Sequence, residues 1–234
     1  MNQNGLRLVG AALVVLVGIW AGFRVYSSRG QQVHGEHAQG VRVAAGEASA
    51  PAPHDYTPEE SALPPPAIPS TLPAFSLNDL HGKPTPISAW AGKSLMINFW
   101  ATWCAPCRQE IPLLKSVATD WAGRGLEVVG IAVDHRDAVL QFAGQFKIDY
   151  PLLIGEQDAL DVAAKFGMQS AVFPFTVFTD RRGQVVTLFV GQMHRPQADL
   201  ILSVVQELNE DKVQLADARK AISAGLGAMA DKSG

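Results

Sequence analysis

The apolar residues of this chain are unevenly distributed, and their spacing separates a globular region from the stretches that flank it. From Leu8 to Phe23 the residues are uncharged and mostly apolar, with Arg7 and Arg24 on either side. Residues 27–70 are rich in proline and alanine and show no periodic apolar pattern. Such a stretch buries too little surface to offset its ordering entropy, which predicts a linker.

Within residues 71–208 the apolar pattern alternates between spacings typical of strands and of helices. Ser94–Trp100 and Leu126–Val133 are short apolar runs rich in strand-forming residues, which predicts two buried strands. Further strands are predicted at 74–80, 84–87, 152–154, 175–179 and 185–190, and helices at 106–121, 138–146, 159–166 and 197–208. Strands that alternate with helices and end in a hairpin predict an α/β domain with a mixed sheet. Residues 209–234 are polar and rich in Ala and Gly, and we expect a helical extension that frays into a tail.

The N-terminal apolar run has the length of a membrane anchor when its flanks are included. A spanning helix needs roughly 20 residues, and the run reaches that length from Gly5 to Tyr26 if the arginine side chains extend to the bilayer surfaces. The alternative is a cleaved signal peptide, but bulky Trp20 and Phe23 stand close to where a small-residue cleavage site is expected. We therefore predict an uncleaved anchor in residues 1–26, whose orientation the flanking charges do not determine.

Composition excludes several classes of function. The formal net charge is −3 and the pI is about 6.1, so no nucleic-acid partner is predicted. The only two cysteines, Cys104 and Cys107, cannot form a network of stabilising disulfides. Their C-x-x-C spacing is typical of redox chemistry or of half a zinc site. No second C-x-x-C pair and no H-x-x-x-H pair is present, so no metal site is predicted, and nothing in the sequence indicates an organic cofactor.

The two cysteines stand where a predicted strand gives way to a predicted helix. The motif reads Trp103, Cys104, Ala105, Pro106, Cys107. Unpaired backbone N–H groups and the positive end of the helix dipole stabilise a thiolate at this point, and proline suits the first helical turn. Cys104 is predicted to be exposed and to attack a substrate disulfide, while Cys107 resolves the mixed disulfide.

The segment from Asn98 to Cys107, NFWATWCAPC, resembles the active site of the thioredoxin superfamily, and in particular that of TlpA/ResA-type membrane-anchored periplasmic thioredoxins. The resemblance covers about residues 71–208. It implies a thioredoxin-like fold, with a mixed central sheet flanked by helices, an N-terminal hairpin and a helix-containing central insertion. It also implies a thiol–disulfide oxidoreductase in the periplasm, anchored in the inner membrane through residues 5–26.

The resemblance carries several roles onto this chain by position. Cys104 matches the attacking cysteine and Cys107 the resolving one. Pro174 matches the family's cis-proline, which faces the dithiol and presents the backbone of the preceding residue to substrate. The remaining side chains expected to contact substrate are those beside these groups: Trp103, Ala105, Pro106 and Phe173.

One departure concerns the group that handles protons. Typical thioredoxins have a buried aspartate where this chain has Asn98, and the TlpA/ResA type often shares the asparagine and has an acid where Glu110 lies. Because an amide cannot accept the proton of the resolving thiol, Glu110 is the candidate for that role, acting on Cys107 directly or through water. The alternative is a glutamate that only favours the dipole of its helix.

Other residues near the motif leave two interpretations open. Phe173 and Phe175 flank the proline, where the family often has small or hydroxylated residues, and they either enlarge a docking surface or fill the core. Trp100 is expected in the core. Asp134 and His135 follow a predicted strand, and we interpret them as a solvated loop pair rather than as part of the site.

These features predict a reductase that passes electrons from its dithiol to extracytoplasmic protein disulfides and is recharged by a membrane thiol–disulfide donor. In the resembling family, such proteins often serve cytochrome c maturation. The same residues run as an oxidant if the disulfide is less stable than the dithiol, and the sequence does not decide the direction. An alternative of another class is a copper-binding module or metallochaperone using the same cysteines, with Met168, Met193 and His194 as further candidate ligands.

Overall fold

A computed structural model describes residues 68–168 and 172–231. The predicted anchor in residues 1–26 lies outside this part of the chain, as does the predicted linker up to residue 67. Among the described residues, no helix is both long enough and apolar enough to cross a membrane.

The strands of the described chain form one seven-stranded mixed sheet. They are β1 (Ser76–Asp79), β2 (Pro84–Pro86), β3 (Ser94–Trp100), β4 (Leu126–Val133), β5 (Leu152–Gly155), β6 (Phe175–Thr179) and β7 (Val185–Val190). Their spatial order is β2-β1-β5-β4-β3-β6-β7. Strands β3, β4 and β5 run parallel, whereas the hairpin of β1 and β2 and the hairpin of β6 and β7 join the sheet in antiparallel fashion. The predicted mixed sheet and its N-terminal hairpin are confirmed.

Helices cover both faces of this sheet. They are α1 (Ala105–Trp121), α2 (Arg136–Phe146), α3 (Gln157–Lys165), α4 (Arg195–Asn209) and α5 (Leu215–Ala230), with 3-10 turns at Ile87–Trp90 and Ala122–Arg124. Helices α2 and α3 belong to the predicted central insertion. The strand predicted at 84–87 ends one residue early, because a 3-10 turn begins at Ile87.

Strand β3 divides the core into two clusters, because successive side chains of a strand point to opposite faces. Met96 and Trp100 lie in a cluster with residues of α1, α2, α4 and α5, and we call this side of the sheet the α1 face. Ile97 and Phe99 lie in a cluster with residues of α3, and we call this side the α3 face. All seven residues of β3 are buried, so the predicted central strand is confirmed.

The C-terminal helix α5 packs against the edge strand β7. Ala218 and Ile222 of this helix are buried in the cluster of the α1 face. Between them, Arg219 donates hydrogen bonds from Nη2 to the Val185 carbonyl oxygen at 2.6 Å and from Nε to the Val186 carbonyl oxygen at 3.3 Å. The side chain thereby occupies carbonyl groups of β7.

Candidate active site

The residues predicted to carry the chemistry converge at one end of the sheet. Trp100 at the end of β3 pairs with Ala132 in the parallel strand β4, and Phe99 pairs with Phe175 at the start of the antiparallel strand β6. The loop that follows β3, the loop that follows β4 and the loop that precedes β6 therefore meet at this end. Ligand sites of α/β sheets commonly lie outside the carboxyl ends of parallel strands in this way.

Cys104 and Cys107 form a disulfide at the start of α1. The S–S distance is 2.03 Å and the two Cα atoms lie 5.3 Å apart. Cys104 is the N-cap residue of the helix, and its Sγ accepts a hydrogen bond from the Cys107 backbone N–H at 3.3 Å. This N–H is one of the donors that a helix N-terminus leaves free, so it stabilises negative charge on the sulfur. The geometry fits the predicted thiolate site.

Cys104 is less accessible than the sequence predicts. It is 5% exposed, and Cys107 is 2% exposed. The bond to Cys107 holds the Cys104 sulfur against the first turn of the helix, where both cysteines pack into the cluster of the α1 face. The predicted exposure is therefore wrong for this oxidised form.

Glu110 lies one turn beyond Cys107 and is almost fully buried, with 1% of its surface exposed. Its Oε1 accepts a hydrogen bond from the Met193 N–H at 3.1 Å, and its Oε2 accepts one from Asn98 Nδ2 at 3.3 Å. Burial raises the pKa of Glu110 to about 7, and the bonds from Met193 and Asn98 oppose that rise. A carboxyl group that titrates near neutral pH can both take up and release a proton there.

The proline predicted to face the dithiol lies at the start of β6. The Phe173–Pro174 peptide bond is cis, Pro174 is buried, and its carbonyl oxygen accepts the Gly191 N–H at 2.8 Å. Because Phe175 pairs with Phe99, this proline lies at the same end of the sheet as the loop that carries Cys104.

The two phenylalanines beside the proline have different surroundings. Phe175 is 1% exposed and stacks on Phe99, with ring centroids 4.3 Å apart, so it fills the core of the α3 face. Phe173 is half-buried and meets Trp103 edge to face, with centroids 6.1 Å apart. Of the two interpretations left open by the sequence, core filling holds for Phe175 and a position at the surface beside the dithiol holds for Phe173.

The other residues predicted to contact substrate surround the disulfide at the surface. The indole residue Trp103 is 67% exposed, Ala105 is exposed and Pro106 is half-buried. Trp100, by contrast, is 1% exposed, in agreement with its predicted place in the core. The apolar surface beside the dithiol is therefore supplied largely by Trp103.

Asp134 belongs to the site, contrary to the interpretation of Asp134 and His135 as a solvated loop pair. Its Oδ2 accepts hydrogen bonds from the Thr102 backbone N–H at 3.1 Å and from Thr102 Oγ1 at 2.5 Å. Thr102 lies in the loop that leads to Cys104, so the half-buried Asp134 holds that loop in place. The interpretation as a solvated pair is wrong for Asp134 and holds for His135, which is exposed. The only available signal was that Asp134 follows a strand parallel to the one before the motif.

No metal-binding cluster accompanies the dithiol in the part of the chain described. Among residues 68–168 and 172–231, no three or more His, Cys, Asp or Glu side chains are grouped so that they could hold a metal ion.

Comparison with known proteins identifies the family. The family model described as Redoxin matches residues 69–202, which is more than half of the chain. The chain belongs to the redoxin family. This redoxin is similar to the thiol-disulfide oxidoreductase ResA of Geobacillus kaustophilus (strain HTA426), with 30% identity over 141 residues that cover 60% of this chain and 79% of that protein.

Two further comparisons agree. The thioredoxin-like protein YneN of Bacillus subtilis (strain 168) is 32% identical over 131 residues, covering 54% of this redoxin and 74% of YneN. The solved structure of a thioredoxin-family thiol:disulfide interchange protein from Chlorobium tepidum TLS matches with a TM-score of 0.53 and 31% identity, covering 60% of this chain and 98% of that one. The predicted thioredoxin-like fold and thiol–disulfide oxidoreductase activity are confirmed, and the family implies substrate proteins that contain disulfides.

Proposed function

We propose that this redoxin is a reductase that transfers two electrons from the Cys104–Cys107 dithiol to disulfides of extracytoplasmic proteins. The observation that most supports disulfide exchange at this dithiol is the position of Cys104 Sγ at the N-cap of α1, where it accepts the Cys107 N–H. A sulfur in this position is stabilised as a thiolate, which is the form that attacks disulfides.

The proposed reaction has two exchange steps. In the first, the Cys104 thiolate attacks one sulfur of the substrate disulfide, the substrate S–S bond breaks, and the second substrate sulfur leaves as a thiolate and takes a proton from solvent. In the second, the Cys107 thiol loses its proton and attacks Cys104 Sγ, which releases the first substrate sulfur as a thiolate that takes a proton from solvent. The chain ends with the Cys104–Cys107 disulfide, and the substrate has gained two electrons and two protons.

Glu110 is proposed to take the proton that Cys107 loses, directly or through a water molecule. Its position one helical turn after Cys107 and its pKa of about 7 support this role. Pro174 is proposed to present the Phe173 backbone to substrate, while the side chains of Trp103, Ala105, Pro106 and Phe173 form the surface on which the substrate lies.

The location is also a proposal. Residues 1–26 are proposed to anchor the chain in the inner membrane through residues 5–26, residues 27–70 to form a linker, and residues 71–208 to form the catalytic domain in the periplasm. A membrane thiol–disulfide protein would then recharge the dithiol, and cytochrome c maturation is the proposed pathway. The uncharged N-terminal run supports the anchor. A membrane-impermeant maleimide should label the reduced cysteines in intact cells, whereas labelling only after lysis would contradict this location.

Disulfide reduction by the full-length chain tests the activity. The reduced chain should cleave the disulfides of insulin, Cys104→Ser should lower the rate to background, and Cys107→Ser should accumulate a mixed disulfide that non-reducing mass measurement detects. Activity retained in Cys104→Ser would contradict the assigned roles.

The direction of electron flow is tested by the reduction potential. Equilibrating the couple in graded thiol buffers and reading it by alkylation should give a value near that of thioredoxin, about −270 mV. A value near about −120 mV would instead make this redoxin an oxidant.

A further inference from the structure

A groove with a volume of about 400 Å³ opens beside Trp103, the residue that precedes Cys104. Its apolar surface comes from the indole of Trp103 and from Val133 and Leu160, and its polar rim includes Asp134 and Glu156. Any polypeptide whose disulfide reaches Cys104 must pass close to Trp103, which is its neighbour in the chain and 67% exposed. The groove is therefore placed to receive a side chain close to the reacting cysteine of a substrate.

The charge of the groove is negative. With histidine counted as neutral, its lining carries the two carboxylates of Asp134 and Glu156. The carboxylate of Glu156 is 61% exposed and lies 2.9 Å from His135 Nδ1. The adjacent basic residue, Arg136, is not among the residues that line the groove, and its guanidinium donates a hydrogen bond to the Leu80 carbonyl oxygen at 2.8 Å.

We propose that this groove binds a lysine or arginine side chain that lies next to the target cysteine of the substrate protein, with Glu156 as the specificity-determining residue. The proposal rests on the proposed reductase function. The hydrocarbon stem of such a side chain would pack along the Trp103 indole, which also attracts a cation to its face. Its charged end would meet the Glu156 carboxylate. Asp134 contributes charge but already accepts both donors of Thr102, so it is a positioning residue for the loop that carries Cys104.

The proposal is tested with three peptide disulfides. They differ only in the residue next to one cysteine, which is Lys, Gln or Glu. Each is mixed in excess with the reduced full-length chain, and formation of the Cys104–Cys107 disulfide is followed by alkylation and mass measurement. The expected order of second-order rate constants is Lys, then Gln, then Glu, with about a tenfold span at low ionic strength that shrinks as salt screens the charges.

Variants of exposed carboxylates test whether the groove causes this difference in rate between the peptides. Glu156→Gln should reduce the ratio of the Lys-peptide rate to the Glu-peptide rate to about threefold or less, and Glu156→Lys should reverse the order. Glu207→Gln removes one exposed charge at the other end of the sheet, near Asn209, which bonds to Ser94 at the start of β3. This control should keep the full span.

Two results would overturn the inference while leaving the reductase function in place. One is equal rates for the three peptides with the unaltered chain, and the other is a full span retained in Glu156→Gln. If none of the peptides oxidises the reduced chain, the proposed function itself fails and the inference fails with it.

Discussion

The two faces of the central sheet are built from the same strands but contain different chemistry. On the α3 face, Phe99 stacks on Phe175 and meets Phe166 edge to face, and the cluster around these rings is apolar. On the α1 face, one residue away along β3, the buried Asn98 donates hydrogen bonds to the carboxylate of Glu110 and to Thr176 Oγ1. Adjacent positions of one strand thus serve packing on one side and a buried polar network on the other.

The difference separates side chains whose burial stabilises the fold from a carboxyl group whose burial costs stability. Burial of apolar rings contributes directly to stability, by about 1.5–3 kcal/mol for each fully buried side chain of this size. Burial of a carboxylate costs stability unless it is protonated or well bonded. Glu110 lies one turn beyond the dithiol, where a proton must move during disulfide exchange. The buried carboxyl group that costs stability is therefore found beside the dithiol, and the apolar packing of the α3 face offsets that cost.

Among the substitutions that test the difference between the two faces, Phe99→Ala should produce the largest loss of stability. Phe99 is 0% exposed, and truncating it leaves a cavity in the α3 face, so we expect a loss of about 3–5 kcal/mol in the free energy of unfolding. The loss should be nearly independent of pH, because no titrating group is removed. Denaturant unfolding at several pH values measures it. Val190→Ala, at a residue that is 49% exposed, is the control and should change stability by about 0.5 kcal/mol or less. A loss as small in Phe99→Ala would contradict the role of the α3 face.

Glu110→Gln should produce the next largest effect, and it should depend on pH. The pKa of Glu110 is about 7 in the folded chain against a reference value of 4.5, so between these values the folded state binds more protons than the unfolded state. The free energy of unfolding should therefore fall as pH rises through this window, by about 3 kcal/mol in total.

The variant should lack this component of the pH dependence. Unfolding curves between pH 4 and 8, recorded with the disulfide intact, compare it with the unaltered chain. Glu207→Gln replaces an exposed carboxylate and should keep the original slope. Identical slopes for Glu110→Gln and the unaltered chain would show that Glu110 does not titrate in this range.

Asn98→Ala should produce the smallest of the three effects, a further rise in the pKa of Glu110. The amide of Asn98 donates to Glu110 Oε2 at 3.3 Å and so favours the ionised form. Its loss should raise the pKa by up to about one unit, which corresponds to roughly 1.4 kcal/mol. The carboxyl signal of Glu110 in a ¹³C NMR titration measures the change. Thr176→Val removes the other acceptor of Asn98 but keeps the bond to Glu110, so it should shift the pKa less. An unchanged or lower pKa of Glu110 in Asn98→Ala would show that the Asn98 amide does not stabilise the ionised carboxylate.

Local pattern predicts the elements of this fold well, because their signals lie in neighbouring residues. The apolar run Ser94–Trp100 gives β3 with its observed bounds, and the predicted helix from Pro106 to Trp121 begins only one residue earlier, at Ala105. Helix α2 begins at Arg136, two residues before the predicted start, because apolar spacing marks the buried side of a helix and not its solvated first turn.

The interior of the site is harder to predict from the local sequence pattern. Glu110 could be placed in the first turns of a helix, but its burial depends on Met193, which is 83 residues away. The hydrogen bonds of Asp134 to Thr102 depend on the register of β3 against β4. Whether Phe173 or Phe175 faces outward depends on which of them pairs within the sheet. These facts arise from contacts between distant segments, which periodicity does not encode.

The two edges of the sheet matter for a protein whose family acts on substrate proteins that contain disulfides. At one edge, Pro84 and Pro86 deprive β2 of amide donors. At the other, Arg219 of α5 already occupies carbonyl groups of β7. An unpaired edge is a template on which a foreign strand can add, and such addition leads to aggregation. Because both edges offer few free backbone groups, an extended substrate chain has little to pair with at either edge of the sheet. Such a chain therefore contacts the end of the sheet that carries the dithiol.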